Sequence, residues 1–284
     1  MNDTPRLDAA CFLITHPKSK YEIGDVKKFS KIFETDLNII SRNSFNNLDV
    51  CTLDLFMERI QSIKTYNDWT KYAGHSKLCL TFSEVVGLSK SWIKIFHPKF
   101  RLKRKISIAR IFNINSSHIV ALNEFLNSGM TYGVVLEDDV QFPNIDLAQK
   151  EIGSLIEFIS KSVNNNRPLY VEMSDSFSFE QMKATNLINL DPENIKASLS
   201  ANNKVYETRK PFPNTTCSYL LNSEMAKSLL EDLKKTWRGK RYRTLPIDWM
   251  YLRHFMNSHD KKITNLHVVP GIFKQGSIYA TAKE

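Results

Sequence analysis

The sequence predicts an α/β fold, a mixed sheet flanked by helices, with a mostly helical insertion at residues 44 to 110. Three observations carry this reading. Short apolar runs at Cys11 to Thr15, Tyr132 to Leu136 and Leu169 to Met173 are too short for helices and read as buried strands. Between residues 116 and 163 the chain runs helix, strand, acids, helix, which is the rhythm of a layered α/β domain. The composition of the 284 residues, 42% hydrophobic and 24% charged with 9 Gly and 10 Pro, supports a packed core and excludes collagen-like and low-complexity chains.

In order along the chain, the strand at Cys11 to Thr15 ends at His16-Pro17 and a helix is predicted over Asp25 to Phe33. Val50 to Ile63 carries Leu53, Phe56, Met57, Ile60 and Ile63 at helical spacing, and Glu84 to Phe96 repeats such a face with Val85, Leu88, Trp92, Ile93 and Phe96. Ser116 to Gly129 reads as a separate helix, with serine at its start, Ile119, Leu122, Phe125 and Leu126 on one face and glycine at its end. The strand at Tyr132 to Leu136 runs into Glu137-Asp138-Asp139, and a helix is expected over Leu147 to Val163. A polar, Asn- and Ser-rich stretch from Ser174 to about Pro213 carries no clear periodicity. Thr215 to Leu221 is read as a strand, followed by a helix capped by Asn222 or Ser223, another beginning near Asp248, and a last strand at Ile263 to Val269. No internal repeat and no long linker interrupts the chain, so residues 1 to 284 are expected to form a single domain.

The charge is uneven. Lys and Arg total 39 against 30 acids, a net +9. His97 to Arg110 holds six cations (Lys99, Arg101, Lys103, Arg104, Lys105, Arg110) and no acid, and Lys234 to Arg243 holds six more with none; +9 without these twelve is −3. Two patches of this kind suit phosphates or an anionic lipid surface, and equally describe solvated helix faces. The four cysteines, Cys11, Cys51, Cys79 and Cys217, show no zinc spacing and are expected to be reduced core residues. No apolar run approaches the length of a membrane span, and the first residues lack the apolar stretch of a signal peptide. The expectation is a cytoplasmic protein, with a peripheral position at the inner face of the cytoplasmic membrane as the extension that the basic patches suggest.

Three acids at the end of a buried strand repel one another unless a cation sits among them. In open α/β sheets ligands bind beyond the carboxyl ends of strands, where Glu137, Asp138 and Asp139 should lie. Hard carboxylate oxygens favour Mg²⁺ or Mn²⁺, and such an ion bridges diphosphate oxygens. A polar turn or a cap for the next helix explains the same residues without a ligand.

Val134-Val-Leu-Glu-Asp-Asp-Val140 resembles the Leu-Glu-Asp-Asp-Val segment of glycosyltransferase family 25, the lipopolysaccharide and lipooligosaccharide sugar transferases. Ser117-His118 is similar to that family's Ser-His segment in order and in distance from the acids, which favours it over the competing match at Glu84 to Ser89. Tyr219-Leu-Leu, Pro246-Ile-Asp248 and the tail Pro270 to Ser277 fit later segments of the family, so the resemblance covers about residues 110 to 278, with a weaker match at Cys11 to Thr15.

The resemblance implies a GT-A-type, Rossmann-like sheet and a metal-dependent transferase that moves a hexose, galactose or glucose, from a UDP-sugar to a saccharide or glycolipid acceptor. It implies Asp139 as first metal ligand and Glu137 as second ligand or ribose contact, with Asp138 facing structure or sugar. Asp248, preceded by Pro246 at a helix start, is the first candidate for the general base that an inverting transferase needs, and Asp175 is the second. His118 either satisfies a structural hydrogen bond or reaches the donor, and Lys274, Gln275 and Ser277 follow the Pro-Gly turn as further donor contacts. Two other readings stand beside this one: a metal-dependent phosphohydrolase or nucleotidyltransferase using the same carboxylates, and a non-enzymatic basic nucleic-acid-binding protein, for which no recognisable motif appears.

Overall fold

The computed structural model describes residues 8–15, 23–41, 52–74, 94, 96–142, 144–164, 166–175, 187–213, 215–238, 244–258 and 262–276. The first strand, β1 (Ala9–Thr15), sends Ala9, Cys11 and Leu13 into one core and Ala10, Phe12 and Ile14 into another. That is the two-residue alternation of a strand buried on both faces. Helix α1 (Ile23–Phe33) and strand β2 (Leu37–Ser41) follow, then two long helices, α2 (Thr52–Tyr72) and α3 (Pro98–Ser128). Next come β3 (Tyr132–Glu137), β4 (Val140–Gln141), α4 (Ile145–Ser162), β5 (Leu169–Glu172) and β6 (Ser174–Asp175). The remainder is β7 (Ile195–Ser198), β8 (Lys204–Glu207), β9 (Ser218–Asn222), α5 (Ser223–Arg238), α6 (Ile247–Asn257), β10 (Thr264–Val269) and β11 (Phe273–Gln275).

Eight of these strands form one mixed sheet in the order β2-β1-β3-β9-β5-β10-β8-β7. Helices flank it on both faces. Phe29, Ile32 and Phe33 of α1 and Ile152, Leu155 and Ile159 of α4 fill one side. Ala121, Leu122 and Phe125 of α3, Met225 and Leu229 of α5 and Tyr251 and Phe255 of α6 fill the other. This mixed α/β architecture is the expected one and is consistent with a GT-A-type fold. Strand β9 runs antiparallel between β3 and β5, so its first residues lie beside the carboxyl ends of both. A second sheet, β4-β11-β6, sits just past those ends.

Several local expectations change. The helix read as starting at Ser116 is continuous from Pro98, so Ser116 lies in its interior and not at its start; the hydroxyl of the neighbouring Ser117 donates to the Asn113 carbonyl one turn back at 2.9 Å. The buried stripe explains the misreading. In the first half of α3 it runs through Ile108, Phe112 and Asn115, and in the second through His118, Ala121, Leu122 and Phe125. At 3.6 residues per turn these stripes are offset by roughly a quarter of a turn, so no single period spans the helix. Its end at Gly129, with φ 71°, is the predicted left-handed cap.

Strand β2 and the hairpin β7–β8, inside the stretch read as irregular, have no counterpart in the sequence reading. Asn222 does cap α5: its Oδ1 accepts from Met225 N and from Leu169 N, each at 3.0 Å, and its Nδ2 donates to the Arg167 carbonyl at 2.7 Å. Cys11 and Cys217 are buried free thiols, whereas Cys51 and Cys79 lie outside the described residues, as does most of the helical face read at Glu84 to Phe96.

Candidate active site at the strand ends

Glu137 shares the face of β3 that carries Val135, the side covered by α3, α5 and α6. It therefore meets α3. His118 Nε2 lies 3.1 Å from Glu137 Oε1, which also accepts the Thr216 hydroxyl at 3.1 Å. The other imidazole nitrogen, Nδ1, is 2.9 Å from the Tyr219 hydroxyl, which is 3.0 Å from that of Tyr251. One consistent set of donors runs from Tyr251 to Tyr219 to His118 Nδ1, with the Nε2–H donating to the Glu137 carboxylate. His118 is 0% exposed. Its ring stacks on Tyr219, Tyr219 on Tyr170, and Tyr251 stands edge-on to all three. Burial pushes all three tyrosines above their ordinary range, Tyr170 further through Glu172 and Tyr219 through Tyr251, so they act as neutral hydroxyls.

Asp138 and Asp139 form the turn between β3 and β4. Asp139 Oδ1 accepts the Cys217 thiol at 3.5 Å, Oδ2 accepts Gln275 Nε2 at 3.4 Å, and its carbonyl accepts Gly276 N at 2.7 Å. The small sheet makes this possible, because β11 pairs with β4 on one side and with β6 on the other, in register Lys274–Gln141 and Lys274–Asp175. A Cβ at Gly276 would stand 2.8 Å from the Asp139 carbonyl oxygen and 2.7 Å from Gln141 Nε2.

Two further carboxylates complete this edge. Glu172, at the end of β5, is fully buried and accepts from Ser174 Oγ at 2.5 Å, from Tyr170 OH at 3.4 Å and from Thr215 N at 3.4 Å. Asp248 lies in the first turn of α6. Burial raises its pKa to about 6 and the charge of Glu137 adds to that, against backbone N–H groups of Trp249 and Asp248 itself, which lower it. The Cys217 thiol, between these acids, is pushed well above its ordinary pKa by burial and then by Asp139, Glu137 and Glu172, which keeps it protonated and without nucleophilic character.

The fold thus pairs Glu137 with His118 and Asp139 with Gln275, and sets Asp248 within the field of Glu137. Asp138 shares the turn. Lys274 is exposed and the backbone of Asp175 is paired beside it. Ser277 lies outside the described residues. Sequence reasoning missed Glu172, Thr216 and the tyrosine stack. Only the two-residue alternation of β5, which puts Glu172 on the face of Tyr170, offered a signal for the first of them.

Among the described residues no group of three or more His, Cys, Asp or Glu side chains forms a protein-only metal centre. The chemistry of the donor set is compatible with a hard divalent ion, since Asp139 supplies carboxylate oxygens and the amide oxygen of the neighbouring Gln275 is buried without a hydrogen-bond partner. Mg²⁺ is commonly held by one or two such oxygens, with substrate phosphates and water supplying the rest. Glu137 Oε1 instead faces His118 and Thr216.

The comparison with protein families bears on the same stretch of chain. Residues 115–251 match the model of glycosyltransferase family 25, described as a lipopolysaccharide biosynthesis protein. This family 25 segment begins one turn before His118 and ends at Tyr251, so it spans the buried relay, the three consecutive acids, Glu172 and Asp248. Strand β1 and the closing Pro270 to Ser277 segment lie outside it. A search of curated proteins finds no match. Over this segment the chain is similar to a family of glycosyltransferases.

Proposed function

We propose that the chain transfers a hexose, galactose or glucose, from a UDP-sugar to a saccharide acceptor in the synthesis of lipopolysaccharide or another surface glycan. The observation that carries this reading is the convergence of Asp139, Glu137 and Asp248 at one sheet edge within the family 25 segment. Asp139 and Gln275 Oε1 would hold Mn²⁺ or Mg²⁺, which supplies charge neutralisation for the departing diphosphate. Glu137, fixed by His118 and Thr216, orients the donor beside that site. Asp248 takes the proton from the acceptor hydroxyl as its oxygen bonds the anomeric carbon and the bond from that carbon to the diphosphate breaks. A pKa near 6 leaves Asp248 ionised at neutral pH while keeping it more basic than a solvated aspartate. Asp175 is the alternative base.

The test is incubation with a panel of nucleotide sugars and simple saccharide acceptors, with and without Mn²⁺. Release of UDP or transfer of sugar that depends on the cation is expected. Hydrolysis of plain nucleotides with no turnover of any nucleotide sugar would replace this reading with a phosphohydrolase.

A further inference from the structure

The first basic patch occupies the opening three turns of α3, before that helix reaches the sheet. At 100° per residue, Lys99, Leu102, Lys103, Ile106 and Arg110 fall within about 100° of arc, opposite the buried Ile108 and Phe112. This face is open: Leu102 is 61% exposed and Ile106 63%, and Phe96, just before the helix, is 71% exposed. Apolar side chains of this size rarely stand together among cations on a surface that meets only water. The acids of the helix packed against α3 point the other way. Asp54 and Glu58 of α2 are buried, and Glu58 pairs with Arg104 on the inner side. The outer face is therefore cationic and apolar, with no acid from Pro98 to Arg110. The second basic patch does not offer the same arrangement among the described residues, where Lys235 pairs with Glu231 and residues 239–243 are not described. Among the described residues no helix is long and apolar enough to cross a membrane.

We propose that this face of α3, formed by Lys99, Leu102, Lys103, Ile106 and Arg110 with Phe96 beside it, docks on an anionic phospholipid bilayer. Charge complementarity selects the occupant. The cations lie where lipid phosphates would meet them, and Leu102 and Ile106, one turn apart between them, enter the interfacial region as the apolar side of an amphipathic helix does. Helix α3 then links membrane and site physically: its first half rests on the lipid and its second half carries His118 beneath Glu137. This deepens the proposed function by stating how the enzyme meets a membrane-borne acceptor, but the docking itself requires no sugar nucleotide.

The experiment is co-sedimentation of the full chain with phosphatidylcholine vesicles, with and without phosphatidylglycerol, across a salt series and without donor or acceptor. Binding to the anionic vesicles alone, falling steeply with salt, is expected. Lys99→Ala with Lys103→Ala should weaken partitioning roughly twenty-five-fold, at about fivefold per cation near the surface. Leu102→Ser with Ile106→Ser keeps every charge and should weaken it by roughly tenfold or more through lost apolar burial. All four positions face outward, so circular dichroism and turnover of a soluble donor should match wild type. Equal binding to neutral vesicles, salt-insensitive binding, or unchanged partitioning of either double variant would overturn the proposal. So would a dimer in sedimentation velocity that Leu102→Ser with Ile106→Ser dissociates, since a second copy would then cover the face. Failure here leaves the transferase reading standing, and failure of the nucleotide-sugar assay leaves vesicle docking intact.

Discussion

Asp248 and His118 carry the account at the level of single residues. The pKa of Asp248 stands at about 6 against an ordinary 3.8, so the fold favours its protonated form. The stability this contributes is complete below the ordinary value and is lost as pH rises through about 6. Asp248→Asn should therefore be more stable than wild type above about pH 6, by about 1–2 kcal/mol after screening at a partly exposed carboxyl, and should lose that advantage in acid. The same substitution should lower kcat about 10²–10⁴-fold with little change in donor KM, and the wild-type rate should rise with pH through about 6. Denaturation curves and a pH–rate profile check both; unchanged turnover would move the base to Asp175 or elsewhere. His118 is a buried positioning residue. His118→Ala removes one hydrogen-bond partner from Glu137, which keeps Thr216, and one from Tyr219, which keeps Tyr251, and should cost about 1–3 kcal/mol. It should also raise donor KM, while His118→Gln, which can still donate to Glu137, recovers part of both. A donor KM that His118→Ala leaves unmoved would reduce His118 to a structural role.

Helix α3 is the element where sequence and structure differ most, and the reason is physical. A stripe that rotates along a helix cancels in any single periodic reading, so the Ser116 hydroxyl and its neighbour looked like a start signal although the helix passes through them. The end was legible because Gly129 answers a local requirement, a left-handed backbone. The close approach of α3 to the sheet was not legible, yet it has a sequence basis in Gly133: a Cβ there would stand 2.7 Å from the Phe125 ring. Gly133→Ala should push α3 off β3 and cost about 1–3 kcal/mol, read as a lower denaturation midpoint. A neutral result would mean that Phe125 repacks freely. Strands β2, β7 and β8 escaped notice because each is only four or five residues long, too short for an alternation to stand out from its surroundings.

Across the whole molecule, what the sequence revealed was the part written locally: the buried strands, the acids at the end of β3, and the cap at Asn222. The site itself is assembled by long-range pairing. Glu172 joins the acids because β9 lies between β3 and β5, and Gln275 reaches Asp139 because β11 pairs with the distant β4, Gln275 opposite Val140 and Lys274 opposite Gln141. No local pattern contains that information. The central claim is that this edge holds a nucleoside diphosphate through a cation at Asp139. The most direct measurement is thermal unfolding of wild type and Asp139→Asn with UDP, with and without Mn²⁺. A ligand that binds only the native state raises its apparent stability. Wild type should gain stability only when UDP and Mn²⁺ are present together, and Asp139→Asn should gain none. An equal gain in both proteins, or none in wild type with UDP and Mn²⁺, would contradict the account.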